Sequence, residues 1–554
     1  MTTTTPLTPP PARHPDVQVQ PPQEGQGPWL VQYGERYFRV GADAARLLDR
    51  LDGTRSPAEL AEDLGAPWTE ERVREALESF SRLGLLAGAA GPGDTPAGSA
   101  HDRPARRKAA DRPDGAKTGR LRFIRPMTVQ FTLWNPDRMM VRLLPVTGAL
   151  LSRRGRQVLV VLLVSGLVAL AVQAQAVWQA ISTPTSPWTY PSVFVGLLLV
   201  TAVHEIGHGA VLTHYGQRPT RIGVMLYYLT LAFFCDVSPG WRLPRKEQRV
   251  AVALAGVGVQ SLIGAVAALV APATSGQVRD GLLIFAVACW LYGVFNLVPL
   301  VKFDGYLALM SHLDIPNLRA RAMADARTAT VIRLAGGHRP RELPQLRWAV
   351  AYGVACQLFP LYLIGTGLVI VSGLIGGFQL FGVTLMWLLL GTLACLACKL
   401  VFRTVGEVRA AGGSVLRLAG IGLAALGAVA VLLTQVTVDR QIRAGYATVD
   451  GRPVLVLAPG TDSSSVPVGA PVQLRTQGVL VGRTLDSTAV APGAARTAHV
   501  PLTAIVPVRA DARVPATVRP LGDDAVLPAA AGAARVELGR MSLGARLLDY
   551  LASP

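Results

Sequence analysis

His204-Glu205-Ile206-Gly207-His208 follows directly on an apolar run, Val193-Phe-Val-Gly-Leu-Leu-Leu-Val-Thr-Ala-Val203. That run predicts a helix inside a membrane. Residues four apart share a helix face, so His204 and His208 point the same way and can hold one Zn²⁺. Glu205 lies beside them, placed to act as general base for an attacking water. Ionisable side chains are costly in a membrane helix, so three of them within five residues mark a functional site. The competing interpretation is a chance match, with the histidines bonded to neighbouring helices. A second motif weighs against it.

That motif, Asn296-Leu-Val-Pro299-Leu-Val-Lys-Phe-Asp304-Gly305-Tyr306, closes a later apolar span. Structural zinc sites take four protein ligands, whereas hydrolytic ones take three and keep a position open. Asp304 is the natural third ligand, although Asp-Gly alone reads as a turn. In this order and setting the two motifs resemble the site-2 protease family of intramembrane zinc metalloproteases. That family pairs H-E-x-x-H with N-x-x-P-x-x-x-x-D-G on a later helix. The resemblance implies His204, His208 and Asp304 as zinc ligands and Glu205 as the catalytic base. It also implies that Asn296 and Pro299 bind the substrate backbone in extended form. Tyr306 stands where many members carry a second glycine, a departure beyond the metal ligands.

Composition agrees with a membrane protein. Half of the 554 residues are hydrophobic and only 16% are charged. The net charge of +18 does not imply nucleic acid, because the positive residues cluster beside apolar spans. Cys235, Cys289, Cys356, Cys395 and Cys398 all fall in expected membrane or re-entrant segments, so no disulfide framework is indicated. The Cys395-x-x-Cys398 pair lies in a Leu/Ala-rich span and reads as packing.

Residues 1–26 are rich in Thr, Pro and Gln and are expected to be a disordered tail. Residues 27–87 read as a small domain. Trp29–Tyr33 and Arg36–Val40 flank Gly34-Glu35 as a β-hairpin. A short helix with Ala44, Leu47, Leu48 and Leu51 on one face follows. Ser56-Pro57-Ala58-Glu59 is a capping box that opens a second helix, and Trp68-Thr69-Glu70-Glu71 opens a third. The pattern is winged-helix-like, but its helices are acidic, which disfavours phosphate contacts and a DNA-tethering role. Tyr37 to Ala61, with Leu47, Leu48, Leu51-Asp-Gly53 and Glu59-Leu-Ala, resembles the PqqD-like peptide-recognition domain. Such domains serve ribosomally made, modified peptides (RiPPs). The resemblance implies capture of a leader peptide as an added strand, packed against the third helix. A plain structural cap is the alternative.

Residues 88–119 read as a flexible linker, with basic residues that can touch anionic lipid, and 120–156 as a membrane-interface segment. A transmembrane zinc protease domain is expected over 157–436. Its apolar runs fall near 157–177, 192–213, 249–271, 281–301, 349–373, 378–402 and 416–436. The apolar segment 222–236 is too short to span comfortably and is expected to be re-entrant, lining the site. Asp236, at its end, reads as a capping residue rather than a ligand. Asp236-x-Ser-x-x-Trp241 and Arg249-x-x-x-Ala-Leu-Ala-Gly256 resemble the bacterial subgroup called putative peptide zinc metalloproteases. Uncharged loop 178–191 is expected outside, and basic loops 214–248, 302–348 and 403–415 inside. The N-terminus is then cytoplasmic and the C-terminal domain extracytoplasmic.

Residues 437–554 alternate apolar stretches with Gly and Pro turns. They predict a small β-sandwich or barrel, vaguely similar to the barrel domains of HlyD-like export adaptors. The fold class expected is therefore a polytopic α-helical membrane protein of about seven spans plus a re-entrant segment. It carries an N-terminal winged-helix-like domain and a C-terminal all-β domain. The function expected is intramembrane zinc proteolysis that removes the leader from a RiPP precursor, with the architecture most like daptide-type metalloproteases. Partners are the precursor, held by residues 27–87, the lipid bilayer and possible export machinery, with no nucleic acid. The alternatives are release of a membrane-tethered regulator, or non-proteolytic peptide export or immunity.

Overall fold

The computed structural model describes residues 10–552 apart from 22–28, 34–35, 88–120, 125–127, 228–229, 376–378, 459–460, 479–481, 523–524 and 526. The chain begins β1 (Val17–Gln20), β2 (Trp29–Tyr33), β3 (Arg36–Val40), α1 (Ala42–Asp49), α2 (Pro57–Leu64) and α3 (Glu70–Arg82). It continues β4 (Leu121–Ile124), β5 (Thr128–Trp134), α4 (Asp137–Leu151), α5 (Arg153–Val172), α6 (Ala174–Ser182) and α7 (Thr189–His214). Next come β6 (Ile222–Tyr227), β7 (Thr230–Cys235), α8 (Lys246–Val270), α9 (Gly276–Asn296), α10 (Asp304–Leu313) and α11 (Leu318–Arg327). Helices α12 (Ala349–Ile375), α13 (Gln379–Ala410) and α14 (Val415–Gln435) lead into β8 (Thr437–Val449) and β9 (Arg452–Leu457). The chain ends β10 (Pro471–Arg475), β11 (Thr484–Ala489), β12 (Arg496–Pro501), β13 (Arg513–Pro520), β14 (Ala531–Ser542) and α15 (Leu543–Ala552). It divides into two compact units, one of residues 1–147 with 208–252 and one of 148–207 with 253–554.

In the first unit, β2 and β3 pair as the expected hairpin, Trp29 opposite Val40 and Tyr33 opposite Arg36. The turn pair Gly34-Glu35 and the linker 88–119 lie outside the described residues. The tail expected over 1–26 is ordered in part. Strand β1 pairs β2, with Val17 opposite Tyr33, and Val17 is buried in the domain core. Val17 and Val19 alternate with Gln18 and Gln20, a strand signal hidden by the polar composition around it. Leu47, Leu48, Leu51, Leu60, Val73, Phe80 and Leu85 complete that core. The capping box at α2 forms as read: Ser56 Oγ accepts from Glu59 N–H at 3.4 Å, and Glu59 Oε2 accepts from Ser56 N–H at 2.7 Å.

The second sheet of this unit adds to two expectations. The segment expected at the membrane interface holds β4, β5 and α4, and the apolar segment expected to be re-entrant holds the paired strands β6 and β7, secondary structure that neither reading included. The four strands join in the order β4-β5-β6-β7, all antiparallel. Val129, Phe131 and Leu133 alternate with Gln130 and Thr132, a period of two that the flanking arginines obscured. A lone hairpin would leave both edges unpaired, and β5 satisfies one of them.

Six helical segments among the described residues are long and apolar enough to cross a membrane: Arg153–Val172, Thr189–His214, Lys246–Ala273, Gly276–Asn296, Ala349–Thr366 and Val415–Gln435. The chain is therefore a membrane-embedded helical protein. Helix α13 covers 379–402 of the expected run 378–402. The segment expected to be a loop between Asp304 and the next span instead holds α10 and α11. Helix α11 packs closely on α12, where Gly353 leaves room for the Ala322 backbone. The small side chains that permit this contact were not a periodic apolar signal.

The C-terminal part is one seven-stranded antiparallel sheet, in the order β11-β10-β14-β8-β9-β13-β12, rather than a two-sheet sandwich. The stretch Pro453–Leu457 lies in central β9, where Val454, Leu455, Val456 and Leu457 are all buried. A strand covered on both faces reads as a continuous apolar run. The strands read at 471–474 and 499–502 correspond to β10 and β12, while 479–481 fall outside the described residues. This sheet is tied to the α6–α7 loop. Thr185 N–H donates to Pro507 O at 3.2 Å, Arg509 N–H to Thr185 O at 2.7 Å, and Tyr190 Oη to Pro507 O at 2.6 Å.

Candidate metal centre

Helix α7 carries His204, Glu205 and His208 through its interior, and the two histidines are almost wholly buried. One ligand atom from each of the three lies within 4.8 Å of the others. The turn spacing alone produces this, since all three stand on one continuous helix. Gly207, between the histidines, lets α8 approach: a Cβ there would meet Val259 Cγ2 at 3.0 Å and Ala255 O at 3.3 Å. Ala255 of α8 thus packs closely against α7 at Gly207.

Both imidazoles are held from behind. His208 Nδ1 lies 2.7 Å from the carbonyl of Val252, and His204 Nδ1 lies 3.1 Å from Gln260 Oε1. Histidine ligands characteristically donate one ring N–H to such an acceptor and keep the other nitrogen for metal. On the opposite side of His204, Nε2 is 3.0 Å from Asp304 Oδ2. Two atoms bound to one small cation at about 2 Å each must themselves be roughly 3 Å apart. The donor set of imidazole and carboxylate therefore fits a metal ion of the zinc type.

Asp304 is the first residue of α10, following the turn from α9. Gly305 is required here because a Cβ would overlap the Leu297 carbonyl at the end of α9. The turn is braced from outside. Tyr352 Oη donates to Pro299 O at 2.6 Å, and Arg319 Nε donates to Leu300 O at 3.0 Å. Tyr306 is buried beside this brace.

No family model, curated protein or solved structure matches this chain. The site therefore stands on its own geometry. That geometry gathers His204, Glu205 and His208 directly and brings in Asp304 through His204. Asn296 is buried at the end of α9, one turn after Tyr292. Tyr292 lies within electrostatic reach of Glu205 and Asp304. Pro299 enters through its carbonyl, as the acceptor of Tyr352.

Sequence reading missed Gln260, Tyr292, Arg319 and Tyr352. Gln260 had a signal, a polar side chain in the middle of an apolar span. Tyr292 had one too, its spacing of four from Asn296. Arg319 and Tyr352 had none, because their partners are backbone carbonyls.

Asp236 is a capping residue, as read. It accepts from Ser238 N–H at 3.2 Å and Ser238 Oγ at 2.7 Å, and from Thr220 and Arg221. Burial pushes its carboxyl upward, but these donors outweigh burial and hold it below the ordinary range. The adjoining Cys235 packs on Gly209, the residue after His208, so the β6–β7 hairpin touches the helix that carries the histidines. Cys395 and Cys398 are free thiols exposed on α13.

Proposed function

We propose that this protein is an intramembrane zinc endopeptidase. The observation that carries the proposal is the arrangement of the two histidines, each held at Nδ1 by an acceptor, with Asp304 beside Nε2 of His204. His204, His208 and Asp304 would hold the Zn²⁺. When bound, the ion supplies Lewis acidity to the scissile carbonyl and to the attacking water. Glu205 then takes the water's proton and returns it to the leaving amine. Asn296 and Pro299 would hold the substrate backbone extended. The buried setting of the histidines strengthens each of these electrostatic contacts.

The substrate we infer is a RiPP precursor, cut from its leader at the cytoplasmic membrane face. The N-terminal sheet supports this reading, because β3 pairs with β2 alone among the described strands and so offers an edge to an extended leader. The sheet β4-β5-β6-β7 likewise ends in edge strands, suited to accept the segment to be cut. With α13 counted as a span, the C-terminal sheet is extracytoplasmic. Its contacts with the α6–α7 loop, which the charge pattern also puts outside, support that orientation.

Co-expression with a candidate precursor, wild type against Glu205→Gln, tests the proposal by mass spectrometry. Leader cleavage only with wild type supports it. Equal amounts of mature peptide from both proteins sink it and favour the export or immunity alternative.

A further inference from the structure

Gln260 lies in the middle of α8 and is completely buried. A carboxamide removed from water costs several times the thermal energy unless both of its ends are satisfied. Here both ends are. Its Nε2 donates to the carbonyl of Cys289 on α9 at 2.8 Å, and its Oε1 faces His204 Nδ1 at 3.1 Å.

The orientation of this amide is not arbitrary. A backbone carbonyl only accepts, so the end facing Cys289 must be the NH₂ group. The end facing His204 is then oxygen, which also only accepts. The imidazole is thereby required to carry a proton on Nδ1, so that the neutral ring has its lone pair on Nε2. That is the nitrogen 3.0 Å from Asp304 Oδ2. A relay from the Cys289 carbonyl through Gln260 to His204 thus decides which ring nitrogen meets Asp304 and fixes the plane of the ring.

We infer that Gln260 is the positioning residue of the metal centre, selecting the His204 tautomer that binds the ion through Nε2. The inference rests on the zinc reading of the site. His208 is oriented differently, by the main-chain carbonyl of Val252, which no side-chain substitution removes. The two ligands therefore differ in how they respond to mutation. His204 depends on a side chain from another helix, and loss of that side chain should release the ring. Loss of such a partner typically weakens metal binding 10- to 100-fold.

The test uses the full-length protein in detergent, stripped of metal and titrated with Zn²⁺ against a chromophoric chelator, then with Co²⁺ for its visible absorption. Gln260→Met keeps the volume but makes neither hydrogen bond. Gln260→Asn keeps an amide for the Cys289 carbonyl but is one methylene too short to reach His204 as well. Both should bind Zn²⁺ about 10- to 100-fold more weakly than wild type. The Co²⁺ spectrum should also change in band position, which a merely structural role would not move. The thermal midpoint of each metal-free variant reports folding. If Gln260→Met does not fold, Gln260→Asn carries the comparison.

Affinity and Co²⁺ spectrum equal to wild type in a folded variant overturn the role given to Gln260, while leaving the metal site itself in place. His204→Ala separates the two failures. If it binds Zn²⁺ as wild type does, the metal reading falls, and the Gln260 inference with it.

Discussion

The hydroxyl of Tyr352 donates to the carbonyl of Pro299 at 2.6 Å, tying α12 to the turn that delivers Asp304. Arg319 holds the next carbonyl, Leu300, from α11. Both fix the path of the chain between Asn296 and Asp304. Tyr352→Phe removes one hydrogen bond and leaves the carbonyl without this donor, a change of about 1 kcal/mol. If the turn transmits that loss, Zn²⁺ affinity should fall roughly five- to tenfold. Chelator-competition titration checks this, and an unchanged affinity would show that the turn holds its shape unaided.

Gly305 allows α10 to start against the end of α9. In Gly305→Ala the new Cβ would overlap the backbone carbonyl of Leu297, which no rotamer change relieves. The expected cost is about 3 kcal/mol, with loss of bound zinc. Gly406→Ala is the control. It lies in α13 with nothing within 4 Å of its Cβ position, so it should be neutral or stabilising by about 0.5–1 kcal/mol. Zinc content by mass spectrometry and thermal unfolding of both variants decide the point. A zinc-replete, wild-type-stable Gly305→Ala protein would contradict the packing seen here.

Asp52 links α1 to α2, accepting from Thr54 N–H at 2.9 Å, from the Thr54 hydroxyl and from Arg55 at 2.9 Å. The Thr54 bonds, with a smaller contribution from Arg55, lower its pKa from the ordinary 3.8 to about 2. A depressed carboxylate stabilises the fold fully above its unfolded value of 3.8 and ceases to do so as pH falls through about 2. Amide protection over residues 42–64, taken relative to the intrinsic exchange rate at each pH, should therefore fall between about pH 4 and about pH 2. In Asp52→Asn that extra acid sensitivity should vanish. Parallel profiles for the two proteins would show that the Thr54 contacts are not formed in solution.

Tyr292 stands one turn before Asn296 on α9, within electrostatic reach of Glu205 and Asp304. Tyr292→Phe keeps the ring and removes only the hydroxyl. Cleavage in the co-expression assay should drop about tenfold, less than the loss of a full transition-state donor. Zinc content should stay at the wild-type level. A parallel fall in bound zinc would instead make Tyr292 part of the support of the metal.

Much of the molecule was legible as sequence wherever one segment contains its own reason. The i, i+4 spacing puts His204 and His208 on one face whatever surrounds α7. The capping box at Ser56 and Glu59 closes within four residues. Apolar runs of about 20 residues announce membrane helices without reference to their neighbours. The Thr-, Pro- and Gln-rich composition of the first residues was the misleading local signal, since β1 forms only because β2 and a buried pocket for Val17 await it.

Tertiary structure decided what depends on partners distant in the chain. Strand β5 pairs with β6 across some 90 residues, so neither the arginine-rich segment nor the apolar hairpin could be recognised as half of a sheet. The approach of Asp304 to His204, the Gln260 relay to Cys289 and the carbonyl brace from Tyr352 are likewise long-range contacts. Backbone carbonyls accept from any suitable donor and leave no mark in the sequence, so only the packing of the helices determines which side chain reaches them.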